Sequence, residues 1–147
     1  MIVLDTNVLS ESLRTPCDQH VARWLTLAPM ERCYTTAISE AEMRLGVQRL
    51  PDGRRKQDLL NRVGLIFTTQ FPGRVLPFES NTAGYFAALS AERRSRGRPV
   101  PFSDALIAAI CLQHRASLAT RNTRDFLDCG IELIDPWGPS FKTDFRG

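Results

Sequence analysis

The chain opens with MIVLDTN, Met1 to Asn7: four apolar or sulfur-bearing residues run straight into Asp5, Thr6 and Asn7, and apolar positions follow at Val8, Leu9 and Leu13. A short hydrophobic strand that ends on an acid and passes into a helix is a unit of an α/β chain. Asp5 reads in two ways. It is a helix N-cap, because Asp, Thr and Asn side chains accept backbone N–H bonds at helix starts, or it is a ligand for something cationic.

The same alternation continues along the chain. After the first strand at 1–5 come two short helices, one after Asp5 and one from about Asp18 to Leu27. Cys33-Tyr-Thr-Thr-Ala-Ile38 is β-rich, and Ser39 to Leu50 reads as a helix with Ala41, Leu45 and Val47 among its apolar positions. Gly53 opens a helix that reaches about Phe71, where Pro72-Gly73 stops it, and RVLPF is a short strand. Residues 81–96 form an amphipathic helix with Tyr85, Phe86, Ala88 and Leu89 facing inward. Ser103 then caps DALIAAICLQH, which is apolar almost all round and therefore buried. ASLAT is a strand, RNTRDF a loop or helical turn, and IELIDP the last strand. Short apolar strands separated by helices predict a parallel sheet covered on both faces.

Bulk properties narrow the class. A chain of 147 residues buries a core without disulfide staples, and its four cysteines, Cys17, Cys33, Cys111 and Cys129, are scattered with no C-x-x-C pair. His20 and His114 supply no short-range partner for a zinc site. No apolar run approaches the ~20 residues that span a bilayer, and no basic segment precedes the first apolar stretch, so no membrane association and a cytoplasmic location are expected. The net charge is only +3, but Lys56 and Lys142 are the sole lysines, so the positive charge is nearly all arginine. Arginine's planar fork suits phosphate, which points to nucleic acid as much as to solubility.

In parallel sheets of this kind, ligands sit outside the carboxyl ends of the strands. Asp5 ends the first strand, Glu42 lies in the first turn of the helix after the second, Asp104 opens the buried helix, and Asn122 and Asp125 follow ASLAT. Each has a plain structural alternative. Asp5 caps its helix, Ser39-Glu-Ala-Glu42 is an S-x-x-E capping box, and Asp104 complements a helix dipole. Together they pose a sharper problem. Asp104 precedes a helix with almost no polar face, and a partly buried charge needs a partner. Carboxylates forced to one edge repel unless a divalent cation holds them, and hard Mg²⁺ or Mn²⁺ prefers oxygen ligands.

Taken in order, Asp5-Thr6-Asn7 after an N-terminal strand, ISEAEMRLG around Glu42, FSDALIAA around Asp104 and LATRNTRDF around Asn122 resemble the PIN-domain ribonucleases. The likeness is to the VapC/FitB toxin branch of type II toxin–antitoxin systems. It runs from Met1 to about Trp137, which predicts a PIN domain over 1–137 and a C-terminal tail over 138–147. It implies a single PIN-like α/β domain with a parallel four- or five-stranded sheet and helices on both faces. It also implies a Mg²⁺- or Mn²⁺-dependent endoribonuclease acting on structured RNA.

By the same resemblance the metal-binding and catalytic acids fall on Asp5, Glu42 and Asp104. The family's fourth acidic position falls on Asn122, a departure from the all-acid pattern, with Asp125 as its substitute. Thr6, Asn7 and Thr120 match positions that shape the site. Arg121 and Arg124 flank Asn122, and Arg93 and Arg94 lead the cluster that continues through Arg96 and Arg98; both sets are candidates for gripping RNA phosphates, although phosphate contacts position without reading base identity. The implied partners are the RNA substrate, a second copy in a homodimer, and a cognate antitoxin that carries the only contact with promoter DNA. Leu9, Leu13, Val21, Trp24 and Leu25 are the candidate groove for the antitoxin.

Two other classes compete. A PIN domain that only binds RNA or a partner is favoured by Asn122. A receiver-type signalling domain would need an acidic neighbour for Asp5 and a lysine at the end of the last strand, and the sequence has neither. A haloacid-dehalogenase-type phosphatase is excluded, because position 7 is Asn where its D-x-D needs a second acid.

Overall fold

The computed structural model describes residues 1–138, so the expected tail lies outside the described residues apart from Gly138. Among the described residues the sheet has five strands in the order β3-β2-β1-β4-β5. They are β1 (Ile2–Leu4), β2 (Cys33–Thr36), β3 (Val75–Leu76), β4 (Ser117–Ala119) and β5 (Leu133–Ile134). Every pairing is parallel. The central strand β1 places Ile2 opposite Cys33 on one side and opposite Ser117 on the other. The chain fills one half of the sheet through β3 and then crosses to the other half. The switch point therefore lies between β1 and β4, at their carboxyl ends.

Alternation along β1 builds two cores from three residues. Ile2 and Leu4 face one side, where α1 (Thr6–Ser12), α2 (Gln19–Leu27), α3 (Ala37–Gln48) and α4 (Arg54–Leu65) contribute Val8, Trp24, Met43 and Val63. Val3 faces the other, where α5 (Thr82–Ser95) and α6 (Phe102–His114) contribute Leu89, Ile107 and Ile110. Period-2 alternation across a strand covered on both faces requires both sets to be apolar. The short helix α7 (Thr123–Phe126) buries Phe126 in the second core. No helix among the described residues is long and apolar enough to cross a membrane.

Several local expectations are corrected. The second strand ends at Thr36, and Ala37 already belongs to α3. The N-cap is Thr36, whose hydroxyl accepts the Ser39 N–H at 3.0 Å. The S-x-x-E spacing is therefore no capping box, and Glu42 is free of backbone duty. Pro101, not Ser103, is the N-cap of α6. Ala41 and Leu45 of α3, and Tyr85 and Ala88 of α5, face outward. Met43 and Val47 carry α3 into its core, and Leu89 does so for α5.

Because Thr36 is fully buried, Thr36→Val strands both the Ser39 N–H and the Ser39 hydroxyl that shares a hydrogen bond with it. Urea denaturation is expected to show a loss of about 2 kcal/mol, whereas Glu42→Gln does not lower stability.

Candidate active site

Asp5 occupies the switch point itself. Its backbone N–H continues the sheet by donating to the Ala119 carbonyl at 3.0 Å, and its side chain is only 3 % exposed. Three donors hold the carboxylate. The Thr6 N–H reaches Oδ1 at 2.7 Å, while the Asn7 amide and the Thr120 hydroxyl reach Oδ2 at 2.8 and 2.6 Å. Capping and side-chain anchoring thus use different oxygens of one carboxylate. Burial still raises the carboxyl above its ordinary range, with the nearby Glu42 charge adding to it and the donors from Thr120, Thr6 and Asn7 opposing it.

Thr120 and Asn7 lock the loops around this anchor. The fully buried Thr120 hydroxyl also accepts the Asn122 N–H at 3.0 Å, and the Asn7 amide reaches the same oxygen at 3.2 Å. Asn7 Oδ1 accepts the Arg121 N–H at 3.0 Å. The first βα turn and the turn after β4 are therefore one hydrogen-bonded unit. Thr6 serves the neighbouring acid: its hydroxyl donates to Glu42 Oε2 at 2.5 Å.

Asp104 stands at the first turn of α6. Burial, followed by the charges of Asp5, Asp125 and Glu42, pushes its carboxyl up to about 7. Asp125 and Asn122 are both exposed; the Asp125 charge acts on Asp104, and Asn122 enters the network through its backbone N–H. Thr6 links two of the expected acids, Asp5 through its N–H and Glu42 through its hydroxyl, and Asp104 responds to the charges of both. Asn122 is the N-cap position of α7 and Asp125 lies within that helix.

The expected arginines divide. Arg121 and Arg124 are exposed beside the site, and the Arg121 guanidinium stacks over the Trp137 ring at 5.4 Å. Arg94 is exposed on α5. Arg93 is corrected: it is 4 % exposed and points to Asp128 at 3.6 Å, so it is a buried tether and no phosphate contact. The expected groove residues on the early helices divide. Val21 and Trp24 are fully buried, Leu9 and Leu25 line a small cleft of about 240 Å³, and Leu13 lines a larger one between α1, α3 and α4. It measures about 960 Å³, is floored by Leu13, Met43, Val47 and Leu50, and reaches Thr6 and Glu42 at one end.

The donor set is all oxygen, crowded and anionic, which suits a hard divalent cation. Among the described residues no three His, Cys, Asp or Glu side chains close to metal-binding distance. The set fits an ion that draws the carboxylates inward and completes its shell with water or phosphate oxygens, as Mg²⁺ commonly does.

Fold and site together define a single-sheet α/β protein with an acidic cleft at its switch point. A family model described as PIN domain matches residues 2–130, and the chain belongs to the PIN-domain family. It is 37% identical over 137 residues to Toxin FitB of Neisseria gonorrhoeae, covering 93% of this chain and 99% of that protein. It is 36% identical over 140 residues to VapC ribonuclease Y4jK of Sinorhizobium fredii, covering 95% and 100%. A solved structure of FitAB bound to a DNA fragment superposes with a TM-score of 0.89 at 37% identity, covering 95% of this chain and 98% of that one.

A native carboxyl that titrates near 7 keeps its proton where the unfolded chain, titrating near the usual 4, has lost it. The stability of the metal-free protein should therefore fall as pH rises from about 4 to about 7 and level off above that. Thermal melts in chelator are expected to show this slope and to show it flattened in Asp104→Asn. If Asp104 is a ligand, added Mg²⁺ should raise the wild-type melting temperature more at pH 8 than at pH 6, because a ligand must lose its proton first.

Proposed function

We propose that this protein is a Mg²⁺- or Mn²⁺-dependent endoribonuclease, the toxin of a toxin–antitoxin pair, that hydrolyses phosphodiester bonds in structured RNA. The observation that carries the reading is the buried Asp5 carboxylate at the switch point, linked through Thr6 to Glu42, with Asp104 responding to the charges of both. Relatives named as a toxin and as a ribonuclease, each matching more than nine-tenths of this chain, support it.

Asp5 and Asp104 would hold the cation, with Glu42 and Asp125 completing the carboxylate set. When bound, the ion lowers the pKa of its water and neutralises charge on the phosphate. The chain's own residues do the rest. Asp5 is fixed by its three donors, so it would offer the ion a ligand of set position. Glu42, oriented by Thr6, takes the proton from the attacking water as the new P–O bond forms and the bond to the leaving oxygen breaks. Arg121 and Arg124 neutralise the RNA backbone on the open side.

The cleft between α1, α3 and α4 fits the cognate antitoxin. Its apolar floor suits one face of an amphipathic peptide, and Arg14, Arg54, Arg55 and Arg62 along it suit acidic residues on the other. A peptide lying there ends at Glu42. The solved structure of FitAB bound to a DNA fragment supports a DNA-binding assembly for this toxin, with the promoter contacted through the antitoxin. A homodimeric toxin acting on cytoplasmic RNA, with residues 1–137 as its PIN unit, completes the proposal.

Induced expression of the wild type should arrest growth and produce discrete new 5′ ends in cellular RNA, which Asp5→Ala or Asp104→Asn abolishes. In vitro, each substitution should lower metal-dependent cleavage at least about 100-fold. Cleavage by the substituted proteins at the wild-type rate would remove the site assignment. A wild type silent in both Mg²⁺ and Mn²⁺ would favour a PIN domain that only binds RNA.

A further inference from the structure

Phe102 begins α6 two residues before Asp104 and is 72 % exposed. It is exposed but not loose. Its ring packs edge-to-face on Phe86 with centroids 5.5 Å apart, and Phe86 packs in the same way on Phe78 at 6.3 Å. Pro99 and Pro101 restrict the backbone that delivers it. Beside the ring is a cleft of about 740 Å³, lined by Phe86, Ser90, Arg94, Val100, Phe102 and Ala105. No side chain caps the start of α6, so the amide end of this long helix is open to a phosphate oxygen.

We propose that Phe102 is a stacking platform for an unpaired nucleobase of the RNA strand next to the cleaved phosphate, with Arg94 contacting that nucleotide's backbone; the assignment rests on the ribonuclease reading above. Positions i and i+2 of a helix point to different sides. Phe102 therefore faces α5 while Asp104 faces the acids, and the platform adjoins the acidic cleft without entering it. A strand with one phosphate at the acids has a neighbouring base within reach of the ring. Ring, cation and open amide end together match a nucleotide, which is flat, aromatic and negatively charged. A second copy of this chain fits less well, because a dry contact there would have to strip water from Arg94. The base must be unpaired, since in a helix both its faces are already stacked.

The test uses the full chain and a hairpin RNA built on a mapped cleavage site, with 2-aminopurine placed in turn at each loop position. Binding is followed on the Glu42→Gln background to prevent cutting, and kcat and KM are measured on the otherwise wild-type protein. One loop position should show fluorescence quenching on binding. Phe102→Leu should abolish that quench and raise KM roughly 10-fold, with kcat within about twofold, whereas Phe102→Trp retains both. Leu keeps the apolar bulk and removes the π-face, so a contact between copies would survive it. Unchanged quench and KM in Phe102→Leu would overturn the proposal. So would a KM loss that tracks dissociation of a dimer measured by light scattering under the same conditions. A wild type that quenches but cuts nothing would overturn the ribonuclease reading and leave the base site standing.

Discussion

The structure turns on one buried carboxylate. Asp5 sits at the end of the central strand, nearly out of water, and is tolerable there because three donors from its own turn and from Thr120 converge on it. Those donors fix more than a side chain. Thr120 reaches Asp5 only if β4 lies parallel to β1 in its observed register, with Leu4 opposite Ala119. The same hydroxyl ties down Asn122, and Asn7 ties down Arg121. Satisfying one charge therefore aligns two strands, two βα turns and the start of α7.

Asp104 has no comparable set of donors among the described residues. It rides on a helix buried by Ile107, Ala108, Ala109 and Ile110, which cannot swing outward without opening the second core. Held where it is, its carboxyl is pushed up to about 7, first by burial and then by the charges of Asp5, Asp125 and Glu42. A proton and a divalent cation are alternative solutions to that repulsion. The rigid packing makes the choice between them the main variable of the site, since relaxation of the backbone is closed off.

The order of strands and helices was legible in the sequence because hydrophobic runs and their punctuation are local properties. So was the place of Asp5, since an acid that ends the central strand stands at the switch point by topology; Asp104 opens a helix that follows another helix, so no strand end announced its position. Caps were not. Ser39 and Glu42 have capping-box spacing, but the chain leaves the sheet at Thr36, and the residue at that exit does the capping. Helix faces were also blurred: Leu45 and Tyr85 are apolar yet face outward, because each helix lies against one layer only. Arg93 looked like part of a solvated basic end. It is buried instead, with its ion-pair partner Asp128, a residue with positive φ, in a distant turn. The helical turn that carries Asp125 was blurred for a similar reason, since its position is set by Phe126 entering the second core.

The two clefts flanking the acids have opposite chemistry, and the sheet explains why. The α1–α3–α4 side packs long aliphatic residues and leaves Leu13 and Leu50 partly open beside arginines. The α5–α6 side closes on alanines and leaves an aromatic corner at Phe102 and Phe86. A peptide settling in the first approaches the acids past Glu42, and an RNA strand resting on the second approaches them past Asp104. On the proposed function these occupants meet only at the carboxylates. Inhibition then needs no shared groove: it is enough that the peptide's end takes the place of the cation and phosphate, while the surface that orients RNA is left untouched.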